Sequence, residues 1–234
     1  MSERFFLLTP PRDGRAVLEG DEARHLTRVL RARVGDEIVV FDGAGTAWPA
    51  RVAGLGRDRV ELETGTPAHD PPRPGPFVTL AVALPKGERQ KVLVEKLTEL
   101  GVDRLVPLET TRGVAEATAA ARSRLERGVI EACKQCGRNR LMEIGETQSI
   151  AAFLAAATPS EIIVADPGGV PLDLPRAAAA AGGVLALVGP EGGFTPEELA
   201  LATGAGAVRT GLGPHILRVE TAAIALAARL VAAS

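Results

Sequence analysis

Two stretches near the C-terminus, LVGPEGGFTPEELALA at Leu187–Ala202 and LGPHILRVETAAIALA at Leu212–Ala227, share one outline. Each is an apolar, strand-like run that breaks at a Gly-Pro pair and resumes with helical residues. Thr195-Pro196-Glu197-Glu198 is a capping box with proline at the first helical position, so a helix is expected to start there. In an open parallel sheet, ligands sit beyond the carboxyl ends of strands, in turns of this kind. Gly189, Gly192 and Gly193 let the backbone approach a ligand or take positive φ. Glu191 stands among them, and Arg218 stands at the mouth of the last helix.

Upstream, the same alternation continues back to residue 78. VTLAVAL (Val78–Leu84), DRLVPL, EIIVAD (Glu161–Asp166), GVLALVG (Gly183–Gly189) and AVRTGLG (Ala207–Gly213) read as strands. Helices are expected at Glu88–Leu100 before Gly101, at Ser123–Cys136 before Gly137, and at Val219–Ala232. Continuous apolar strands alternating with helices predict an α/β domain whose parallel sheet is covered on both faces. The stretch Pro67–Phe77 carries five prolines in eleven residues and reads as a semi-rigid linker. Before it, RFFLL, EIVVF, TAWPARV and RVELE are short strands with a turn at Asp42–Gly45 and a helix at Asp21–Leu30. That pattern predicts a small barrel-like β domain. The expected division is residues 1–70, a linker at 71–77, and residues 78–234.

The formal net charge is −2, so any nucleic-acid site must be a local patch. Arg24, Arg28, Arg31 and Arg33, with His25, form a cluster containing no acid; a solvated helix face is the alternative reading. Arg138 and Arg140 form a second candidate patch. Aromatic residues make up 3% of the chain and tyrosine is absent, which argues against a base-stacking platform. The N-terminus lacks the outline of a signal peptide, and no run approaches the roughly 20 apolar residues of a membrane span, so a cytoplasmic protein is expected. Cys133-x-x-Cys136, with three scattered histidines, cannot assemble a convincing four-ligand zinc site, so no metal is expected. Neither Gly-Pro turn is G-x-G-x-x-G or a P-loop, so the turns suit a neutral or cationic ligand with an adenine edge better than a polyphosphate.

LVGPEGGFTPEEL followed by LGPHILRVETA resembles the signature of the RsmE-type 16S rRNA (uracil-N3)-methyltransferases of the SPOUT class. Further matches are HLTRVLRARVGDEIVVFDG, LPKGERQKVLVEKLTELGVDRLVPL and EACKQCGR, in order along nearly the whole chain. The resemblance implies a PUA-like β-barrel followed by an α/β domain with a deep trefoil knot. It implies S-adenosylmethionine bound in that knot, a homodimer, and 16S rRNA or the small ribosomal subunit as partner. Leu187, Val188, Gly189, Pro190, Glu191 and Gly192, with Leu212, Gly213, Ile216, Leu217 and Arg218, would hold the cofactor. The chain departs from the family at Arg112-Gly113, where Arg-Ser is usual, and at His215, where Arg is common.

Methylating N3 of uridine requires an aligned methyl donor, an acceptor for the N3 proton, and donors for charge developing on the flanking carbonyl oxygens. Glu191, Glu220 and Glu99 are candidate acceptors; Arg218, Arg112 and Lys86 are candidate donors. Arg218 and Glu220 read equally as a helix-start charge and its partner, and Glu99 as a surface residue beside Lys96. Lys86 and Arg138 join the arginine cluster as candidate RNA contacts. Two rivals make different demands. A nicotinamide oxidoreductase needs a glycine fingerprint after Leu84, where LPKGERQ stands, and a non-catalytic RNA-binding protein would lose the two turns. A SPOUT enzyme acting on another RNA nucleotide remains a third reading. The last helix carries apolar residues nearly all round (Val219, Ala222, Ile224, Leu226, Leu230, Val231), which predicts burial on more than one side and a dimer.

Overall fold

A computed structural model describes residues 3–71, 75–113, 118–156 and 161–232. The chain divides into two compact units: residues 1–73 with 130–141, and residues 74–129 with 142–234. Of the Pro-rich linker expected at 71–77, residues 72–74 lie outside the described residues.

The first unit contains β1 (Arg4–Phe6), β2 (Arg15–Glu19), α1 (Gly20–Arg24), β3 (Glu37–Phe41), β4 (Thr46–Leu55), β5 (Arg59–Thr64) and β6 (Ala68–His69). The strand order is β1-β3-β4-β5-β2, with β6 on β4, and every pair is antiparallel except β1 with β3. Along β5 alternate residues are buried, so Val60 and Leu62 enter a core shared with Phe5, Leu18, Leu26, Ile38, Val40 and Val52. The helix expected at Asp21–Leu30 is α-helical only to Arg24 and widens into a π-turn at His25–Val29. There the Leu30 amide donates to the His25 carbonyl, and the Thr27 hydroxyl donates to the Ala23 carbonyl at 2.8 Å. The hydroxyl competes for the carbonyl that a regular helix would give to the Thr27 amide.

Residues 130–141 belong to this unit through polar contacts. Lys134 Nζ lies 3.0 Å from Glu22 Oε1, and Asn139 donates to Asp70 at 2.6 Å and accepts from Arg4. The Leu141 amide donates to the Gly43 carbonyl at 2.9 Å. Gly43 has φ +71°, and a Cβ there would stand 2.8 Å from the Leu141 side chain. Only glycine fits both demands.

The second unit contains β7 (Val78–Val82), α2 (Glu88–Leu100), β8 (Arg104–Glu109), the first part of α3 (Ala119–Cys136), β9 (Glu143–Ile144), β10 (Gln148–Ser149) and α4 (Ile150–Ala155). It continues with β11 (Glu161–Pro171), α5 (Leu174–Ala178), β12 (Val184–Val188), α6 (Pro196–Gly204), β13 (Val208–Gly211) and α7 (Val219–Ala232). Its sheet runs β10-β8-β7-β12-β11-β13, with β9 beside β8, and all pairs are parallel. Every residue of β7 is buried, as a central strand between two helical layers requires. The capping box forms as expected: the Glu198 amide donates to Thr195 Oγ1 at 3.2 Å, and the Thr195 amide to Glu198 Oε2 at 2.8 Å.

β11 runs past Asp166, where the sequence suggested it would stop, and Asp166-Pro167-Gly168-Gly169 forms a bulge against β13. A Cβ on Gly169 would lie 2.4 Å from the Thr210 amide nitrogen, so this crossing admits glycine alone. α7 packs against α2, β7 and β12 and buries Val219, Ala223, Leu226, Ala227 and Leu230; Ala222, Ile224 and Val231 are half-buried.

Candidate active site

The bulge of β11 and the segments at the ends of β12 and β13 converge on a cavity of about 270 Å3 in the second unit. Both Gly-Pro turns close it. Val188, Gly189, Pro190, Glu191 and Gly192 come from the first turn, and Leu212, Gly213, Ile216 and Leu217 from the second. All nine belong to the set expected from the sequence. The other two of that set stand differently. Leu187 is wholly buried in the core beneath the turn, because strand alternation turns its side chain away from the cavity. Arg218 does not line the cavity; it is exposed, and its carbonyl accepts the Ala222 amide in the first turn of α7.

Further lining residues had no clear sequence signal. Asp166 and Pro167 come from the bulge of β11, Phe194 and Leu199 from the start of α6, and Val219 and Ala222 from α7; His215 joins them from the second turn. The wall is thus largely apolar, with carboxylates at Asp166 and Glu191. Each carboxylate is held by an arginine that sequence reasoning missed. Arg209 of β13 donates to Asp166 through Nε at 2.6 Å, and Arg89 of α2 donates to Glu191 at 2.9 Å. Arg89 also lies 4.0 Å from Glu220, whose Oε2 is buried with no hydrogen-bond partner among the described residues. The only trace of Arg89 in the sequence was its place in LPKGERQ, the stretch that replaces a glycine fingerprint.

The remaining candidates separate. Arg112 reaches the site: its Nη1 donates to the Gly192 carbonyl at 2.6 Å. Glu99 does not. It lies near the far end of α2 from Arg89, about 15 Å along the helix axis at 1.5 Å per residue, and binds Lys96 at 2.8 Å. The hydrogen bonds that Lys96 donates to Glu95 and Glu99 hold its ammonium pKa above the ordinary range. The sequence showed Glu99 and Lys96 as neighbours, but only helix direction shows which end of the sheet they occupy. Lys86 is exposed in the loop between β7 and α2 and does not line the cavity.

In the first unit, Arg24, Arg28, Arg31 and Arg33 are exposed and His25 is half-buried, its ring edge-on to Phe5 at 6.1 Å. The cluster is less free of acid than the sequence segment suggested. Asp58, in the turn between β4 and β5, lies 3.7 Å from Arg24 and 3.8 Å from Arg28. Arg24 also bonds Asp21, which raises its pKa. Arg138 is half-buried near Cys133, whose thiol burial pushes up to about 12; Cys136 is exposed.

Comparisons with known proteins agree with this arrangement. Residues 72–231 match the RNA methyltransferase domain family, and residues 18–64 match the RNA methyltransferase PUA domain family. A ribosomal RNA small subunit methyltransferase E of Mycobacterium bovis is 34% identical, the match covering 94% of this chain and 87% of that one. A crystal structure of a ribosomal RNA small subunit methyltransferase E from Neisseria gonorrhoeae, bound to S-adenosyl methionine, superposes with a TM-score of 0.88 at 31% identity, covering 97% and 96% of the two chains. A methyltransferase of Legionella pneumophila with bound SAM gives a TM-score of 0.87 at 27% identity over 100% of this chain and 98% of that one. Alignment over almost the whole length, through both units and through the two turns that build the cavity, makes the chain a member of the ribosomal RNA small subunit methyltransferase E family.

Proposed function

We propose that the protein transfers a methyl group from S-adenosylmethionine to N3 of one uridine in the 16S rRNA of the small ribosomal subunit, working as a homodimer in the cytoplasm. The observation that carries this reading is the single cavity closed by both Gly-Pro turns in a chain of this family. The donor set fits the cofactor: apolar walls at Val188, Phe194, Leu199 and Leu217 suit an adenine. Carboxylates at Asp166 and Glu191 suit hydroxyls and a cation rather than a polyphosphate. When bound, S-adenosylmethionine supplies an electrophilic methyl group on a cationic sulfur.

The chain's own residues supply the rest. Glu191, on the cavity rim, is the proposed acceptor of the N3 proton. Arg112, which bonds the Gly192 carbonyl, is the proposed stabiliser of charge on a uracil carbonyl oxygen, and exposed Arg218 is a second candidate for that task. The Watson–Crick edge of uridine is the target, so the base must be unpaired or flipped out. Arg31 and Arg33, with Arg24 and Arg28, provide phosphate contacts from the first unit. A trefoil knot in the second unit and pairing of two chains through the half-buried side of α7 belong to the same proposal.

Small subunits purified from a strain lacking the gene provide the test. Incubation with the protein and S-adenosylmethionine should add one methyl group, mapped by mass spectrometry to one uracil N3. Methylation of another nucleotide would replace the proposed target, and calorimetry showing binding of NAD but not of S-adenosylhomocysteine would overturn the reading altogether.

A further inference from the structure

We infer that Arg89 is a positioning residue that exchanges between two carboxylates, Glu191 and Glu220, and that its move to Glu220 frees Glu191 to take the uracil N3 proton. The inference rests on the function proposed above and assigns a role to a residue outside the cavity wall.

Three groups on three elements meet here. Arg89 stands in the first turn of α2, Glu220 in the first turn of α7, and Glu191 in the turn between β12 and α6. Arg89 Nη1 is 2.9 Å from Glu191 Oε1 and 4.0 Å from Glu220 Oε2, so the two contacts differ by little more than an ångström. The observed partition serves the more exposed carboxylate and leaves the buried one. The Glu191 side chain is 48% exposed and water can solvate it, whereas that of Glu220 is 12% exposed. Glu220 Oε2 is buried and has no hydrogen-bond partner among the described residues. A guanidinium carries five N–H donors in a rigid fork, so a small rotation of Arg89 serves the orphaned oxygen without a change of backbone. Leaving a buried charged oxygen unserved is costly, while releasing an exposed one is not. The second arrangement therefore lies close in energy to the one observed.

The exchange matters for proton transfer. A carboxylate that takes a proton while paired with a guanidinium gives up that ion pair; an unpaired one does not. With Arg89 on Glu220, Glu191 is free at the cavity rim. The N3–H bond breaks, its proton passes to Glu191, and the electron pair left on N3 forms the new bond to the methyl carbon. The carbon–sulfur bond breaks in the same step and its pair remains on sulfur. Three groups carrying a net single negative charge become neutral.

Two measurements test the exchange. In crystals of the protein with S-adenosylhomocysteine, Arg89 should lie within hydrogen-bond reach of Glu220 and away from Glu191. Glu220→Gln, which offers no charge to Arg89, should leave the Kd for S-adenosylhomocysteine and the KM for small subunits within about twofold, and lower kcat at least tenfold. Adding Arg89→Gln to that variant should recover several-fold of the lost kcat, because Glu191 is then unpaired by another route. Should Glu220→Gln fail to fold, Glu220→Asp, one methylene too short to reach Arg89, carries the same expectation. Wild-type kcat in the single variant, no recovery in the double variant, or Arg89 still on Glu191 in the liganded crystals would each overturn the exchange. Failure of the wild-type protein to bind S-adenosylhomocysteine would instead overturn the function beneath it.

Discussion

The guanidinium of Arg112 donates to the carbonyl oxygen of Gly192 at 2.6 Å, joining the loop after β8 to the turn after β12 across 80 residues of sequence. A Cβ on Gly192 would meet Arg112 Cδ at 3.2 Å, whereas the left-handed backbone of the turn belongs to Gly193, with φ +69°. Gly192→Val should therefore act by displacing Arg112 and crowding the cavity rather than by straining the chain. We expect S-adenosylhomocysteine affinity, measured by calorimetry, to fall at least tenfold, with a melting temperature within a few degrees of wild type. Unchanged affinity would place the cofactor elsewhere.

Glu198 performs two structural tasks at once. Its Oε2 accepts the Thr195 amide in the capping box, and its Oε1 accepts the Thr111 amide at 2.8 Å and hydroxyl at 3.1 Å. Glu198→Ala removes the side-chain half of the capping box, keeps the Thr195 hydroxyl on the residue-198 amide, and leaves the Thr195 amide and the Thr111 groups to solvent, a loss of about 2 kcal/mol. For a domain of this size the melting temperature should drop by roughly 4–8 °C in a thermal scan. A drop below 1 °C would show that water replaces these bonds without cost.

Asp58 lies against Arg24 and Arg28, so it opposes any phosphate bound there. Asp58→Asn should tighten RNA binding several-fold at low salt and leave S-adenosylhomocysteine affinity unchanged. Arg28→Ala with Arg31→Ala should weaken RNA binding and flatten its salt dependence by roughly 1–2 in logarithmic slope. Filter binding across a salt series checks both. Collapsed turnover at unchanged RNA affinity would move the arginines into the chemistry.

The two cysteines should be told apart by titration. Burial pushes the Cys133 thiol up to about 12, and its Sγ–H donates to the Arg140 carbonyl at 3.8 Å; Cys136 is exposed. The thiolate is the reactive form, so a disulfide reagent at pH 8 should modify one thiol per native chain and two after denaturation. Two fast thiols in the native protein would mean that the end of α3 opens readily.

Much of this was legible in the sequence where local chemistry sufficed. The Thr195 capping box, Gly101 closing α2 at φ +93°, and the apolar runs of β7, β8 and β12 all express short-range rules. The two Gly-Pro turns were legible as ligand sites because they mark strand ends, and the nine cavity residues were named through the family resemblance those turns carry. What was hidden depends on partners distant in sequence. Arg89 meets Glu191 across 102 residues, Arg209 meets Asp166 across 43, and Asp58 reaches Arg24 only through the fold of β4 and β5. Short strands such as β9 and β10, two residues each, carry too little periodicity to be seen. The π-turn at His25–Val29 escaped because its helical periodicity is ordinary, and the bonds that distinguish it, Leu30 amide to His25 carbonyl and Thr27 hydroxyl to Ala23 carbonyl, leave no mark in the sequence pattern.

The first unit is assembled from two pieces of chain, and this orders its birth on the ribosome. Residues 1–73 leave the exit tunnel early, yet Glu22, Gly43 and Asp70 find their partners only when Lys134, Leu141 and Asn139 follow. At about 5–20 residues per second, the gap of some sixty residues means a wait of several seconds, longer than a small domain needs to fold. During that interval the nascent barrel lacks its closing segment and exposes the surfaces that segment covers. A fragment ending at residue 71 would be a permanent copy of that waiting state.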